Sequence, residues 1–204
     1  GLTFPVKDIV EFAHRHNVRV MVDGAHAPGM VSVDLGELGA DYYTANHHKW
    51  LCAPKTSGFL YVAPQWQSEV RPVTISHGAN TDSYGQSKFL GEFNWVGTHD
   101  PTPVLSVPAA IDFISTLHPG GLIQLYQANR SLALIGRDKI LDALDLAAPA
   151  PAQMIASLAS VPIPSDGPTS TAEMKSLQRR LYDKHRIEVP VFRFNDNLHC
   201  LRIS

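Results

Sequence analysis

Apolar and polar residues follow regular periods in the first third of the chain. Residues 5–17 place their apolar side chains on one helical stripe with charged residues between them, which predicts a surface helix. Residues 18–22 come next and are rich in β-branched side chains. A strand directly after a helix is typical of an α/β unit, so these residues are predicted as a buried, parallel strand. Residues 41–45 and 58–62 are predicted as two further strands.

The last hundred residues return to helical spacing and then to strands. Helices are predicted at residues 103–117 and 121–146, the second of which is expected to bury Leu122, Leu125, Tyr126, Leu132, Ile135 and Ile140. Proline-rich residues 147–152 end that helix. A strand is then predicted at residues 154–162, followed by a helix at residues 170–185 that is capped by Ser170 or Thr171. Two more strands are predicted at residues 187–194 and 199–204. This order indicates a small α+β domain.

Between these parts, residues 63–98 mix glycine, serine, asparagine and aromatic residues with little periodicity. Such a stretch predicts a long functional loop or an interface segment. The 204 residues suffice for two domains with real cores. We therefore predict an α/β domain over residues 1–120 and a linking helix with the small α+β domain over residues 121–204.

Composition narrows the class of protein. The net charge of -2 shows no basic excess, so no nucleic-acid or anionic-membrane surface is indicated. No apolar stretch approaches the roughly 20 residues of a membrane helix, and no leader resembles a signal peptide. Cys52 and Cys200 are too few for a disulfide framework, and each is expected to be buried as a small apolar residue. We expect a cytoplasmic protein and, from the ends at Gly1 and Ser204, a piece of a longer chain.

Two residues suggest a particular chemistry. Asp23 ends the first predicted strand, and Lys49 follows by twenty-six residues in the loop after the second. Open α/β sheets bind ligands at the carboxyl ends of their strands, where these two side chains can converge. A lysine amine can hold an aldehyde cofactor as an imine, and a carboxylate can keep the ring nitrogen protonated so that the ring stores electrons. The pair predicts pyridoxal phosphate; the alternatives are a turn aspartate and a solvated lysine.

Neighbouring residues suit the same cofactor. The small residues after Asp23 let a flat ligand approach the backbone, and His26 can hydrogen-bond to a phenolic oxygen or stack on a ring. Asn46 and His48 are suited to bind a phosphate group by hydrogen bonds. The aromatic and apolar residues around Lys49 favour a nucleophilic amine.

A metal site is the alternative that the histidines leave open. His26, His47 and His48 could act as ligands, and the chain has ten histidines in all. However, no cysteine or carboxylate joins them at a zinc-like spacing, so a metal is disfavoured.

Six segments together resemble the class V aminotransferase family of pyridoxal phosphate enzymes, which has fold type I. Its branch with isopenicillin N epimerase and the cysteine desulfhydrases is the most similar. The resemblance covers nearly the whole chain, but only about the second half of a typical member. Each segment is weakly specific, whereas their order and spacing are specific: Val22-Asp-Gly-Ala-His-Ala-Pro-Gly29, Asp41-Tyr-Tyr43, His48-Lys-Trp50, Gly58-Phe-Leu-Tyr-Val62, Trp95-Val-Gly-Thr-His-Asp-Pro101 and Leu201-Arg-Ile-Ser204.

The resemblance implies a fold and a set of roles. The fold would be part of the large, mostly parallel sheet domain followed by the small domain. Lys49 would form the internal aldimine and later move protons at the substrate α-carbon. Asp23 would pair with the pyridinium nitrogen, and His26 would contact the phenolic oxygen, where relatives often have glutamine. His48 would bind phosphate together with Asn46, which stands where many relatives have serine.

Two further roles are implied by the resemblance. Gly97-Thr98 matches a segment that reaches the phosphate of the neighbouring subunit, which implies a homodimer with shared active sites. Arg202 matches the arginine that binds the α-carboxylate of an amino-acid substrate, and a planar fork of donors suits that task. Cys200 is expected on the same strand face as Arg202.

The reaction itself stays open. A carbon–sulfur lyase or an epimerase is favoured by the resemblance alone, and transamination is also compatible with these residues. Residues 189–200 do not reproduce the Arg-x-Gly-x-His-Cys segment of the cysteine desulfurases, which disfavours persulfide chemistry. In relatives, the phosphate-binding loop and the aromatic that stacks on the cofactor precede the region matching Gly1. A truncated, non-catalytic family member is therefore the second hypothesis.

Overall fold

The computed structural model describes residues 2–81, 85–164, 170–195 and 198–204, which divide into two compact units. The first unit is Pro5–Thr116, and the second joins Leu117–Ser204 to the residues that precede Pro5. Among the described residues, the helices are all too short or too polar to cross a membrane.

A three-stranded sheet organises the first unit. Strand β1 (Met21–Asp23) runs parallel to β2 (Tyr42–Asn46), and β2 runs antiparallel to β3 (Gly58–Val62). Helix α1 (Val6–Arg15) precedes β1, and the short helix α2 (Leu35–Leu38) leads into β2. The predicted helix and the three predicted strands are confirmed, with the first strand displaced toward Asp23.

The predicted burial of the first strand is wrong. Met21 is 63 % exposed and Asp23 is also exposed, so only Val22 is partly covered. The reason is position, since β1 lies at the edge of the sheet in the described part of the chain and has β2 as its neighbour on one side.

Short elements occupy much of the region predicted as irregular. Pro64–Glu69 and His77–Ala79 form 3₁₀ turns, and Lys88–Asn94 forms helix α3. The hydroxyl of Ser87 starts α3 by accepting a hydrogen bond from the Leu90 N–H at 3.2 Å.

The helix predicted at residues 103–117 is interrupted. It consists of α4 (Thr102–Leu105) and α5 (Val107–Ser115). Pro108 explains the break, because proline has no N–H to donate to the Val104 carbonyl and its ring crowds that carbonyl.

The second unit has the predicted α+β order. Helix α6 (Gly121–Leu144) is followed by β4 (Ala159–Ile163), α7 (Thr171–His185), β5 (Val191–Asn195) and β6 (Leu198–Ile203). The three strands form an antiparallel sheet in the order β4-β6-β5. A 3₁₀ turn precedes β4 at Ala152–Met154.

On helix α6, four of the six positions predicted to be buried are partly buried: Leu122, Leu125, Tyr126 and Ile140. The prediction is wrong for the other two. Leu132 and Ile135 are 65 % and 54 % exposed. The small residues Ala133 and Gly136 face the sheet instead, and a Cβ at Gly136 would stand 2.9 Å from the Ile203 side chain. At these two positions, close approach to the sheet therefore favours the neighbouring small residues over the larger side chains.

Helix α7 begins at a capping box. The Ser170 hydroxyl accepts from the Glu173 N–H at 3.2 Å, and the Glu173 carboxylate accepts from the Ser170 N–H at 2.7 Å. Of the two predicted caps, Ser170 is the one observed.

Candidate active site

Two loops begin at the carboxyl ends of neighbouring strands in the first sheet. Asp23 is the last residue of β1 and pairs with Thr44 of β2. Strand β2 ends at Asn46, three residues before Lys49. Since β1 and β2 are parallel, the loop after Asp23 and the loop that carries Lys49 both start at the carboxyl ends of the strands, as predicted.

Tyr43 supports the start of the Asp23 loop. A Cβ at Gly24 would overlap the Tyr43 hydroxyl, so the chain can pass Tyr43 because residue 24 is glycine. Burial raises the pKa of the Tyr43 phenol, and the Asp23 carboxylate raises it further. The phenol therefore stays neutral and adds no second negative charge beside Asp23. One Asp23 oxygen also accepts from the Ala25 N–H at 3.0 Å.

The two loops are in direct contact. The Trp50 indole N–H donates to His26 Nδ1 at 3.2 Å. Gly29, which is buried and has φ +84°, lies so close that a Cβ there would overlap the backbone of Trp50 and Leu51. The loop that carries His26 is thus fitted against the loop that carries Lys49.

Asn46 and His48 form a polar pair beside a shallow pocket. His48 Nδ1 is 3.1 Å from the Ser57 carbonyl, which can only accept, so this nitrogen carries the hydrogen. In the neutral ring, His48 Nε2 then accepts from the Asn46 amide at 3.2 Å. The pocket has a volume of ≈ 350 Å³ and is lined by Thr44, Ala45, Asn46, His48, Thr56, Ser57, Gly58, Phe59 and Leu60.

His47 belongs to the interior of the unit. Its ring stacks on Phe59 with centroids 5.4 Å apart and planes inclined by 22°. Burial lowers the pKa of His47, and the neighbouring His48 lowers it further, so the ring is neutral at pH 7. Within residues 2–81, 85–164, 170–195 and 198–204, no three histidine, cysteine or acidic side chains are arranged to hold a metal ion.

Three predicted site residues remain: Lys49, Thr98 and Arg202. Lys49 is half-buried, and its carbonyl accepts from the Cys52 N–H at 3.1 Å. Thr98 is exposed and follows Gly97, whose φ is +130°. Arg202 is exposed on β6 of the second unit. The first unit brings together the loops of Asp23, His26, Asn46, His48 and Lys49, while the roles of all these residues stay predictions.

The two cysteines, Cys52 and Cys200, differ in their exposure to solvent. Cys200 is 5 % exposed, and burial raises the pKa of its thiol. Its partner across β4 is Pro162, two residues from the partner of Arg202, so Cys200 and Arg202 share a face of the sheet as predicted. The expectation for Cys52 is wrong, because Cys52 is exposed on a turn with φ +60°.

Asp41 fixes the start of β2 from within the unit. This side chain is 4 % exposed and accepts from His14 Nε2 at 2.8 Å, from the Val20 N–H at 2.7 Å and from the Trp66 indole at 2.6 Å. Burial alone would raise the pKa of Asp41, but these hydrogen bonds outweigh it and hold the pKa below its usual value. Asp41, directly before β2, therefore ties together α1, the residue that precedes β1 and the 3₁₀ turn after β3.

The sequence did not reveal Tyr43, Trp50 and Asp41 as supporting residues, although all three lie within the segments that carried the resemblance. A glycine directly after a strand-end aspartate is one signal that a neighbouring strand presents a bulky side chain there. For Trp50, position alone gives the signal, since it directly follows Lys49.

Comparison with known proteins identifies the relatives of this arrangement. The family model described as aminotransferase class-V matches residues 1–179. The isopenicillin N epimerase of Amycolatopsis lactamdurans is 34 % identical over 215 residues, which cover 100 % of this chain and 52 % of the relative. The probable chloroplastic L-cysteine desulfhydrase of Arabidopsis thaliana is 32 % identical over 194 residues, which cover 94 % of this chain and 40 % of the relative. The chain thus spans about half the length of these relatives.

A solved structure shows the same fold. It is a C-DES mutant with glycine covalently linked to the PLP cofactor, and it superposes with a TM-score of 0.74 at 22 % identity. The superposition covers 98 % of this chain and 51 % of that one. The fold type predicted from the sequence is therefore confirmed.

Proposed function

The chain belongs to the class V aminotransferase family, and on that basis we propose that it is part of a pyridoxal phosphate enzyme that acts at the α-carbon of an amino acid. The observation that carries the proposal is the contact between the Asp23 loop and the Lys49 loop at one edge of the sheet. The Asp23 carboxylate and the Lys49 amine would bind opposite ends of one flat cofactor, so their loops must lie next to each other.

The residues present fit this cofactor. Gly24 and Gly29 let the Asp23 loop pack against Tyr43 and against the backbone of Trp50 and Leu51, which holds Asp23 and His26 beside the loop that carries Lys49. Asn46 and His48 offer nitrogen donors for a phosphate beside a pocket at the end of β2. Neutral His48 has its hydrogen on Nδ1, so it could donate from Nε2 only in its doubly protonated form. The Asn46 NH₂ group has a second hydrogen besides the one that His48 accepts, and this hydrogen can be donated to a phosphate.

Each residue has a distinct task in the proposal. The cofactor supplies an electron sink for charge released at the α-carbon. The Asp23 carboxylate holds a proton on the ring nitrogen, His26 contacts the phenolic oxygen, and the Lys49 amine attaches the cofactor and moves a proton at the substrate α-carbon. Arg202 is proposed to bind the substrate carboxylate through its guanidinium group.

Carbon–sulfur lyase or epimerase chemistry is the outcome that we favour. The names of the two sequence relatives support it, one a probable L-cysteine desulfhydrase and the other an isopenicillin N epimerase. Thr98 is proposed to reach the phosphate of a second subunit in a homodimer. A cytoplasmic location remains a prediction. The competing hypothesis is a family member without turnover, motivated by the match to about half of each relative.

Cofactor attachment tests the proposal. The full-length protein, saturated with pyridoxal phosphate, is expected to absorb visible light, and borohydride reduction followed by peptide mapping should locate the cofactor on Lys49. Lys49→Ala should abolish this attachment. Lys55→Ala is the matched control, because Lys55 is an exposed lysine of the same segment and should leave the attachment intact. A full-length protein that stays colourless contradicts the proposal.

Product analysis distinguishes the reactions. With cysteine, a lyase releases sulfide and pyruvate, whereas an epimerase inverts the α-carbon and releases neither. A loaded protein that gives no product with any amino acid tested would support the member without turnover.

A further inference from the structure

One hydrogen bond defines the role of the Nδ1 atom of His26. The indole N–H of Trp50 can only donate, and it points at His26 Nδ1 from 3.2 Å. Nδ1 must therefore be the bare nitrogen of a neutral imidazole, and the ring hydrogen lies on Nε2. A hydrogen on Nδ1 would put two donors face to face and break this bond.

We propose that Trp50 is a positioning residue that holds His26 in the Nε2–H form, so that the imidazole donates a hydrogen bond to the phenolic oxygen of pyridoxal phosphate. The inference rests on the proposed function, since that function places the cofactor beside His26. It assigns Trp50 a task that the residue performs through His26, without itself contacting the reacting atoms.

Backbone packing beside this bond holds the Trp50 and His26 side chains next to each other. Gly29 lies against the backbone of Trp50 and Leu51, so the loops touch at a second point besides the Trp50–His26 bond. Because Trp50 directly follows Lys49, the residue that attaches the cofactor and the residue that orients His26 are one peptide unit apart. A shift of this segment would move both contacts together.

His48 provides a contrast within the same site. Its Nδ1 carries the hydrogen because the Ser57 carbonyl accepts there, which leaves Nε2 bare in the neutral ring. His26 has the opposite arrangement because its Nδ1 faces a donor. The two histidines thus differ in tautomer: the ring hydrogen lies on Nε2 in His26 and on Nδ1 in neutral His48.

The tautomer can be measured without cofactor. In the full-length protein with ¹⁵N-labelled histidine, NMR couplings between ring nitrogens and ring hydrogens should assign the His26 hydrogen to Nε2. Trp50→Phe keeps the aromatic ring but removes the donor, so signal from the Nδ1–H or doubly protonated form should then appear. Trp95→Phe is the matched control, because the Trp95 and His99 rings are also neighbours, 6.4 Å apart, and this change should leave the His26 signals unaltered. A His26 spectrum that Trp50→Phe leaves unchanged would overturn the inference.

A double-mutant cycle then tests the link to the cofactor. Trp50→Phe should weaken pyridoxal phosphate binding about two- to tenfold, the equivalent of one neutral hydrogen bond, and shift the visible absorbance band. In a His26→Gln background the same change should have little effect, because an amide NH₂ donates without a choice of tautomer. Equal effects in both backgrounds would assign Trp50 a merely structural role and overturn the inference. Failure of the unaltered protein to bind the cofactor would instead refute the proposed function, and the NMR result would still stand.

Discussion

Gly24 lies directly against the hydroxyl group of Tyr43, at the point where the chain leaves β1. Gly24→Ala would drive a methyl group into the Tyr43 ring, which is 3 % exposed and stacked on Phe59. Overpacking of this kind should lower the free energy of unfolding by about 1–3 kcal/mol. Asp23 would move with its neighbour, so cofactor binding should also weaken. Urea unfolding and cofactor titration measure the two effects.

The control for this substitution is Gly36→Ala. Gly36 lies in the short helix α2, and among the described residues a Cβ there would approach the Asp34 side chain alone, at 3.3 Å. Alanine favours a helix more than glycine does, so Gly36→Ala should be neutral or slightly stabilising. Equal losses of stability at the two positions would refute the role that we assign to Tyr43.

The Asp41 carboxylate should stabilise the first unit. Its carboxylate accepts three hydrogen bonds in the interior, and Asp41→Asn would place an amide NH₂ against one or more of their donors. The free energy of unfolding at pH 7 should fall by about 2–4 kcal/mol. Asp8→Asn, at an exposed position in the first turn of α1, should have a much smaller effect.

The pH dependence of stability follows from the same residue. The folded-state pKa of Asp41 lies below its ordinary value of 3.8, so the folded protein binds fewer protons at this group than the unfolded chain does. The stability that Asp41 contributes is complete above that ordinary value and is lost as the pH falls through the lowered pKa. Urea unfolding between pH 6 and pH 3 should show a steeper acid loss for the unaltered protein than for Asp41→Asn. Parallel curves would contradict this account.

His48 should contribute to cofactor binding through the phosphate group alone. His48→Ala is expected to weaken binding of pyridoxal phosphate by about ten- to a hundredfold, the range for one charge-assisted hydrogen bond. Binding of pyridoxal, which lacks the phosphate, should barely change. Titrations of both compounds give the ratio of affinities, and His185→Ala, at the exposed end of α7, serves as the control. Equal losses for the two compounds would exclude a phosphate contact.

Local signals in the sequence were sufficient for much of the fold. Ser170 and Glu173 have the spacing of a capping box, and α7 begins there. The two chemical groups at the strand ends, Asp23 and Lys49, were visible for a similar reason. Each follows a run of residues that local patterns identify as a strand, and the carboxyl ends of such strands are where ligands bind.

Contacts between distant residues decided the rest. The apolar pattern of α6 identified four partly buried positions but also pointed to Leu132 and Ile135, which are exposed. Their small neighbours Ala133 and Gly136 face the sheet instead. Likewise, the position of Trp50 directly after Lys49 does not reveal which residue its indole contacts. Its hydrogen bond to His26 exists because Gly29 lets two loops touch, and this fit depends on the tertiary structure.

Arg202 offers a prediction about substrate rather than cofactor. It is exposed on β6, and a guanidinium group binds a carboxylate through two parallel hydrogen bonds. In the full-length enzyme, Arg202→Ala should raise the KM for the amino acid by about ten- to a hundredfold while cofactor binding and attachment to Lys49 stay normal. Steady-state kinetics and cofactor titration on one preparation separate the two quantities.

Two further variants give this prediction its specificity. Arg202→Lys keeps the charge but loses the planar fork, so it should recover only part of the affinity for the amino acid. Arg186→Ala removes an exposed guanidinium that lies 5.6 Å from the Tyr182 ring, and it should leave the KM unchanged. If Arg202→Ala and Arg186→Ala raised the KM equally, the effect would come from general surface charge, and Arg202 would have no part in carboxylate binding.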